Sequence, residues 1–103
     1  QRKSAGAPPF GRFAAIIISS EDEREAIEAA RAVGGAAPEA EGMYVYGPAP
    51  APLAMLRGRY RQRLLVHAQR SVEVQAIIRE WLGKLQFPRG VRIGVDVDPY
   101  SFL

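Results

Sequence analysis

Apolar residues recur along the chain with two different periods, and together they predict four strands and two helices. Phe13 to Ser19 is a short isoleucine-rich run bounded by polar residues, which is typical of a buried strand. Met43 to Tyr46 and Arg59 to Ala68 are two further strand-like segments. Val91 to Val97 alternates most clearly, with valine or isoleucine at every second position. We predict that this last apolar face packs towards the helices.

Two segments between these strands have the spacing of helices. Ser20 precedes three acidic residues in the pattern of a capping box, so we predict a helix that begins there and runs to about Val33. Apolar residues later recur every three or four positions from Val74 to Leu85, with Ser71 as the predicted N-cap. Trp81 falls on the apolar side of this second helix, and we expect it in the core.

The resulting order, βαββαβ, predicts an α+β fold made of two split βαβ units. Right-handed crossovers then give a four-stranded antiparallel sheet with both helices on one face, as in ferredoxin-like proteins. The first and third strands are expected at the centre of this sheet. Between Gly47 and Gly58 three alternating prolines keep the backbone extended, and we expect a hairpin with a long tip. The other face of the sheet is left open.

Arginines at alternate positions form a row along the third strand. Because side chains alternate across a strand, one face carries Arg59, Arg61, Arg63, Leu65 and His67, and the other carries Tyr60, Gln62, Leu64 and Val66. A buried unpaired charge costs several kcal/mol or more. We therefore expect the arginines on the open face of the sheet.

Two explanations of this row remain open at this point. The arginines can simply be solvated, or paired with Asp96 and Asp98, although those carboxylates are expected about 10 Å away, two strands across. Alternatively, they bind the phosphates of a nucleic acid, which suits a chain with 12 arginines among its 14 basic residues. The candidate nucleic-acid contacts are Arg57, Arg59, Tyr60, Arg61 and Arg63, with Tyr44, Tyr46 and Tyr100 as further rings that could stack on bases.

Composition narrows the function classes further. The chain has 103 residues, which fits one domain, and a net charge of +3. Seven acids lie between Glu21 and Glu41, whereas the segment from Gly42 to Arg70 has five arginines and no acid. With no cysteine and one histidine, neither a metal nor a cofactor is expected. We also predict no membrane span, a cytoplasmic location and no enzymatic activity, since catalytic and nucleotide-binding motifs are absent.

The ends of the chain suggest a piece of a longer protein. Residues 1–9 are polar and contain glycine and proline, and the chain starts without methionine. The final DVDPYSFL has the look of a natural end. We therefore expect a linker over residues 1–9 and a folded domain over residues 10–103.

Three segments resemble a known family. They are APPF at Ala7 to Phe10, GPAPAPLAMLRGRYRQRLLV at Gly47 to Val66, and VDVDP at Val95 to Pro99. In order and spacing they are similar to the C-terminal domain of PriA, the primosomal protein N′ that acts as a helicase in bacterial replication restart. The resemblance implies a preceding helicase core with the ATPase motors, binding of branched DNA at abandoned forks, primosome partners, and a fold similar to ribosomal protein S10.

The same resemblance implies a partner site at the last helix. Members of the family bind the acidic, Phe-ending tail of single-stranded DNA-binding protein (SSB) through an arginine and a glutamine near the start of that helix. Gln75 matches the glutamine, whereas Ser71 stands at the arginine position, with Arg70 one residue earlier. Gln62 is a second departure, because relatives usually carry an aromatic residue there.

These observations lead to one hypothesis and two alternatives. The leading hypothesis is a nonenzymatic domain that binds forked or single-stranded DNA through its arginines, without sequence specificity, and docks SSB or the helicase core. One alternative is a structural module that packs its arginine face on the parent helicase. The other is an RNA-binding scaffold like ribosomal protein S10.

Overall fold

The computed structural model describes residues 11–97, and its elements follow the predicted βαββαβ order. The predicted linker over residues 1–9, Asp98 and Tyr100 lie outside the described residues. The six elements are β1 (Arg12–Ser20), α1 (Glu23–Gly35), β2 (Met43–Leu56), β3 (Arg59–Ala68), α2 (Val74–Gly83) and β4 (Arg92–Val97).

The four strands form one sheet in the order β2-β3-β1-β4, and every pair is antiparallel. The first and third strands are therefore central, as predicted, and β2 and β4 form the edges. Two helices accompany this sheet, so the predicted α+β, ferredoxin-like fold is confirmed.

One face of the sheet carries the core. Alternate residues of the central strands are buried there: Ala14, Ile16 and Ile18 from β1, and Leu64, Val66 and Ala68 from β3. Both helices bury apolar residues in the same cluster, including Val33 of α1 and Ile78 of α2. Trp81 is 3% exposed, which confirms its predicted place in the core, and its indole N–H donates to the carbonyl of Val33 at 2.9 Å. This hydrogen bond ties the second helix to the first.

The edge strand β4 is only partly covered. Ile93 and Val97 pack against the core from the helix side, as the alternation predicts. Val95, on the same side, is 44% exposed. The prediction that this whole apolar face packs towards the helices therefore holds in orientation but not in burial.

The helix starts differ from the predicted ones. Asp22, rather than Ser20, is the N-cap of α1, and its carboxylate accepts a hydrogen bond from the Glu25 amide at 3.2 Å. Ser20 is 1% exposed, and its hydroxyl accepts from the Asp22 amide and donates to the Glu25 carboxylate. The prediction of Ser20 as the cap was wrong because β1 continues through this residue.

The start of α2 also lies further along the chain than predicted. Val72 donates its amide to the carbonyl of Gln69, so a turn occupies the segment around Ser71. The helix has Glu73 at its N-cap position, without a side-chain capping bond, and it ends at Gly83 rather than near Leu85. The prediction of Ser71 as the N-cap was therefore wrong.

The predicted long hairpin tip is also wrong, because β2 extends to Leu56. The strand passes its proline-rich part with register shifts between Tyr46 and Ala49 and between Pro50 and Met55. Such irregularities suit residues that cannot donate to the ladder. The tip itself has two residues, Arg57 (φ 54°) and Gly58 (φ 79°). Two successive positive φ angles are the mark of the tight turns that match the twist of a hairpin.

Candidate nucleic-acid interface

The open face of the sheet has a basic end and an aromatic end. Across the two central strands, the register pairs Ser19 with Arg61, Ile17 with Arg63, Ala15 with Leu65, and Phe13 with His67. These residues alternate with the buried ones, so they point away from the helices, as the alternation of β3 predicts. The arginines come together where β3 starts, and the rings come together where it ends.

A groove of about 350 Å³ lies at the basic end. Four of its lining residues are arginines, and we call it the arginine groove; it is lined by Ser19, Glu21, Leu56, Arg57, Arg59, Arg61 and Arg92. Arg92 reaches it from the edge strand β4, where it stands opposite Ser19 in the register. The turn between β2 and β3 adds Arg57. Two strands, β3 and β4, and the tight turn therefore bring four guanidinium groups to one place.

Two of these guanidinium groups are held by neutral partners. Arg59 donates to the hydroxyl of Ser19 at 3.1 Å, to the carbonyl of Ser19 at 2.9 Å and to the carbonyl of Gly90 at 2.8 Å. Arg61 donates to the carbonyl of Leu53 at 2.8 Å. A carbonyl orients a guanidinium without cancelling its charge. Each arginine has five N–H donors, so both keep donors for an anion.

Carboxylates do not neutralise the groove within the part of the chain that the structure describes. The one ion pair among residues 11–97 joins Arg24 to Glu28 at 4.0 Å on the surface of α1. Asp96 stands opposite Ala15 in the register, at the level of Leu65 rather than of the arginines. Glu21 is the one carboxylate that lines the groove, and it makes no ion pair there. Of the two pairing partners considered from sequence, Asp96 is thus not used, and Asp98 lies outside the described residues.

A second pocket, also of about 350 Å³, adjoins the groove. It shares Arg59 and Arg92 with the groove and adds Arg89, but three carboxylates lie beside them: Glu21, Asp22 and Glu25. The mixed charge makes this pocket less suitable for a polyanion than the arginine groove. The basic surface therefore has a boundary on the side of α1.

The predicted DNA contacts do not all share one surface. Arg57, Arg59 and Arg61 line the groove, and Arg63 lies beside it on the open face, opposite Ala49 and Ile17. Tyr60 lies on the helix side of the sheet, between Ser20 and Met55. Tyr44 and Tyr46 are on the open face, at its aromatic end.

The predicted partner-site residues lie at the other end of β3. Arg70, Ser71 and Gln75 are exposed around the start of α2. Ten residues of β3 separate this region from the arginine groove, a distance of roughly 30 Å along the strand. A ligand at one place therefore leaves the other accessible.

Sequence reasoning missed four members of the groove: Ser19, Glu21, Leu56 and Arg92. The alternation of VRIGVDV already puts Arg92 on the side away from the apolar residues, so its face could be predicted. Which residues lie beside Arg92 could not be predicted, because that depends on the register between β1 and β4. His67, at the other end of the open face, stacks its ring on that of Phe13. The ring centroids are 4.3 Å apart and the planes are 4° from parallel.

Between residues 11 and 97, no three acidic, histidine or cysteine side chains are arranged to hold a metal ion. None of the helices in this range is long and apolar enough to cross a membrane.

Comparison with known proteins decides the family. Residues 3–100 match the model of the primosomal protein N C-terminal domain. The chain belongs to this family. The resemblance noted from the sequence segments is therefore confirmed for nearly the whole chain.

Relatives of this primosomal protein N C-terminal domain are longer proteins. The replication restart protein PriA of Rickettsia felis is 37% identical over 101 residues, which cover 98% of this chain and 15% of that protein. PriA of Treponema pallidum is 34% identical over 105 residues, covering 100% of this chain and 16% of that protein. The probable replication restart protein PriA of Deinococcus radiodurans is 37% identical over 97 residues, which are 91% of this chain and 10% of that protein. The chain thus spans less than a fifth of the length of these curated relatives.

Proposed function

We propose that this primosomal protein N C-terminal domain binds DNA without sequence specificity and holds it for a replication-restart helicase. The observation that supports this most directly is the arginine groove, where four guanidinium groups lie on the uncovered face without carboxylate partners among the described residues. Residues 1–9 are then the linker from the helicase core, which supplies the ATPase. In this proposal the domain works in the cytoplasm with other primosome proteins and performs no catalysis itself.

The chemistry of arginine fits this role. A guanidinium group is planar, always charged and able to bind a phosphate through two parallel hydrogen bonds. The carbonyls that hold Arg59 and Arg61 restrict these side chains before DNA arrives, which lowers the entropy lost on binding. Phosphate contacts fix position but carry no sequence information. A helix that could enter the major groove and read bases is not part of this face, so binding independent of sequence is expected.

A salt titration of the 103-residue chain on forked DNA tests this proposal. Three or four phosphate contacts predict a slope of roughly −2 to −4 for the logarithm of the binding constant against the logarithm of the salt concentration. Fluorescence anisotropy with a labelled fork gives the binding constants. Absence of binding at low salt, or binding that salt does not weaken, would contradict the proposal.

A second function is favoured by the β2–β3 hairpin. Leu53, Met55 and Leu56 are 59%, 48% and 41% exposed near its tip, and exposed apolar clusters often mark protein contacts. A structural module that docks this hairpin and the arginine face on the helicase core would therefore bind the core but not DNA. If the chain instead prefers structured RNA to forked DNA in the same titration, a scaffold like ribosomal protein S10 is favoured.

We also propose that the start of α2 docks the acidic tail of SSB. Arg70 supplies a cation and Gln75 an amide, both exposed around the start of α2, with Ser71 between them along the chain. Because the arginine is exposed and lies one residue from the family position, we expect the contact to be weak.

Replacing Arg70 tests this partner site. An exposed ion pair contributes about 0.2–1 kcal/mol, so Arg70→Ala is expected to weaken binding of an SSB tail peptide by about 1.4- to 5-fold. Isothermal titration calorimetry measures the change, and Arg79→Ala, an exposed arginine later in α2, is the control that keeps full affinity. Unchanged affinity in the Arg70 variant would remove this residue from the site.

A further inference from the structure

The aromatic end of the open face carries two large exposed rings. Tyr44 is 54% exposed and Tyr46 is 53% exposed, both on the edge strand β2. In the register they stand opposite His67 and Leu65 on β3, and Phe13 stacks on His67 from β1. We call the surface formed by Tyr44, Tyr46, Phe13, Leu65 and His67 the aromatic platform.

The platform is built on paired strands and lies on the face away from the helices. Tyr44 and Tyr46 are two residues apart on one strand, so their attachment points are about 7 Å apart on the same face. Beside Tyr46 on the same face follow the half-buried Leu65 on β3 and Ala15 on β1. The sheet therefore fixes the spacing of the two rings, and a planar ligand meets them without the cost of ordering a loop.

The platform continues directly into the basic end of the face. Arg63 is the next open-face residue of β3 before Leu65, and Ala49 stands opposite it after the register shift that follows Tyr46. Beyond Arg63 come Arg61 and the arginine groove. A single strand of nucleic acid needs both kinds of surface, because its backbone is anionic and its bases are planar and apolar on their faces.

We propose that Tyr44 and Tyr46 stack on unpaired bases of a DNA single strand whose phosphates lie against Arg63 and the arginine groove. This inference rests on the proposed DNA binding and specifies its ligand as single-stranded. Bases inside a duplex are stacked on one another and offer no free faces to the rings. By analogy of fold, four-stranded sheets with two helices behind them use aromatic residues on the open face to stack on bases.

The experiment separates the bases from the phosphates. The 103-residue chain is titrated with an oligothymidylate of about 12 nucleotides and with an abasic strand of the same length and charge. Stacking on one base typically changes affinity at least about fivefold, so two rings predict a preference of at least about 25-fold for the strand with bases. Tyr44→Ala with Tyr46→Ala is expected to remove most of that preference, whereas both Tyr→Phe changes keep it, since phenylalanine retains the ring.

Controls distinguish this inference from the proposed function. Leu53→Ala with Met55→Ala removes two exposed apolar side chains of the same strand and is expected to leave the preference for bases unchanged. Binding to both strands that depends on the groove arginines but not on the tyrosines would overturn the inference and leave the DNA-binding proposal standing. Equal weakening on both strands in the tyrosine-to-alanine variant would also overturn it. Absence of binding to either strand and to forked DNA at low salt would overturn both.

Discussion

Changing Arg57, Arg61 and Arg92 to glutamate is expected to weaken binding to forked DNA at least about 100-fold at low salt. These three side chains line the arginine groove, and a hydrogen bond to a charged group contributes about 1.5–3 kcal/mol. Reversal also places three carboxylates where phosphates would lie. Arg59 is left in place because its hydrogen bonds to Ser19 and Gly90 support the local structure. Fluorescence anisotropy on one labelled fork measures the loss.

A matched control variant changes the net charge by the same amount at positions outside the groove. Arg24, Arg31 and Arg79 are exposed on the two helices, and changing them to glutamate takes the formal net charge from +3 to −3, as the groove changes do. Circular dichroism checks the fold of both variants. If the two variants lose similar affinity, the loss reflects total charge, and a binding role for the groove is contradicted.

The second large effect is expected on stability. Trp81→Ala is expected to lower the free energy of unfolding by about 3–5 kcal/mol, because it empties the place of a large side chain that is 3% exposed between α2 and the core. Small domains have a total stability of about 5–15 kcal/mol, so the variant is expected to be marginally folded. Urea denaturation followed by circular dichroism measures the change.

Two further substitutions calibrate this result. Trp81→Phe removes the hydrogen bond to Val33 but keeps most of the apolar contact, and Val33 also accepts from the Ala36 amide, so the cost is expected to be about 1 kcal/mol. Leu53→Ala, at a side chain 59% exposed, is expected to change stability by less than about 0.5 kcal/mol. A loss below about 1 kcal/mol in Trp81→Ala would contradict the packing described for α2.

Much of the fold follows from local sequence pattern. The alternation in Arg59 to Ala68 predicts which β3 residues are buried, and the three-and-four spacing around Trp81 predicts the buried side of α2. Both patterns are strong because each element buries one side only. The strand order then follows from the handedness of the crossovers.

Other features depend on interactions that the local pattern does not contain. Asp22 caps α1 because β1 continues through Ser20, which pairs with Tyr60 on β3. The hairpin is tight because Arg57 takes a positive φ angle, a conformation for which glycine or asparagine is the usual signal. In both cases pairing between strands overrides the local preference of the residues.

The candidate site was predictable in part. The side of the sheet to which Arg59, Arg61 and Arg63 point follows from alternation and the cost of burying charge. That Arg92 joins the groove and that Arg63 lies towards the aromatic platform depends on registers between separate strands. The same alternation predicts that Tyr60 points to the helix side of the sheet, opposite to the arginines, as the structure has it.

The most direct test of the arginine groove is the salt dependence of fork binding. It is measured for the original chain, for the groove variant with Arg57, Arg61 and Arg92 changed to glutamate, and for the control variant with changes on the two helices. Each phosphate contact adds about −0.9 to the slope on duplex DNA, so losing three contacts predicts a slope that is shallower by about 2 to 3. The control with changes at Arg24, Arg31 and Arg79 is expected to keep the original slope. Equal slopes in the groove variant and the original chain would contradict phosphate binding by these arginines.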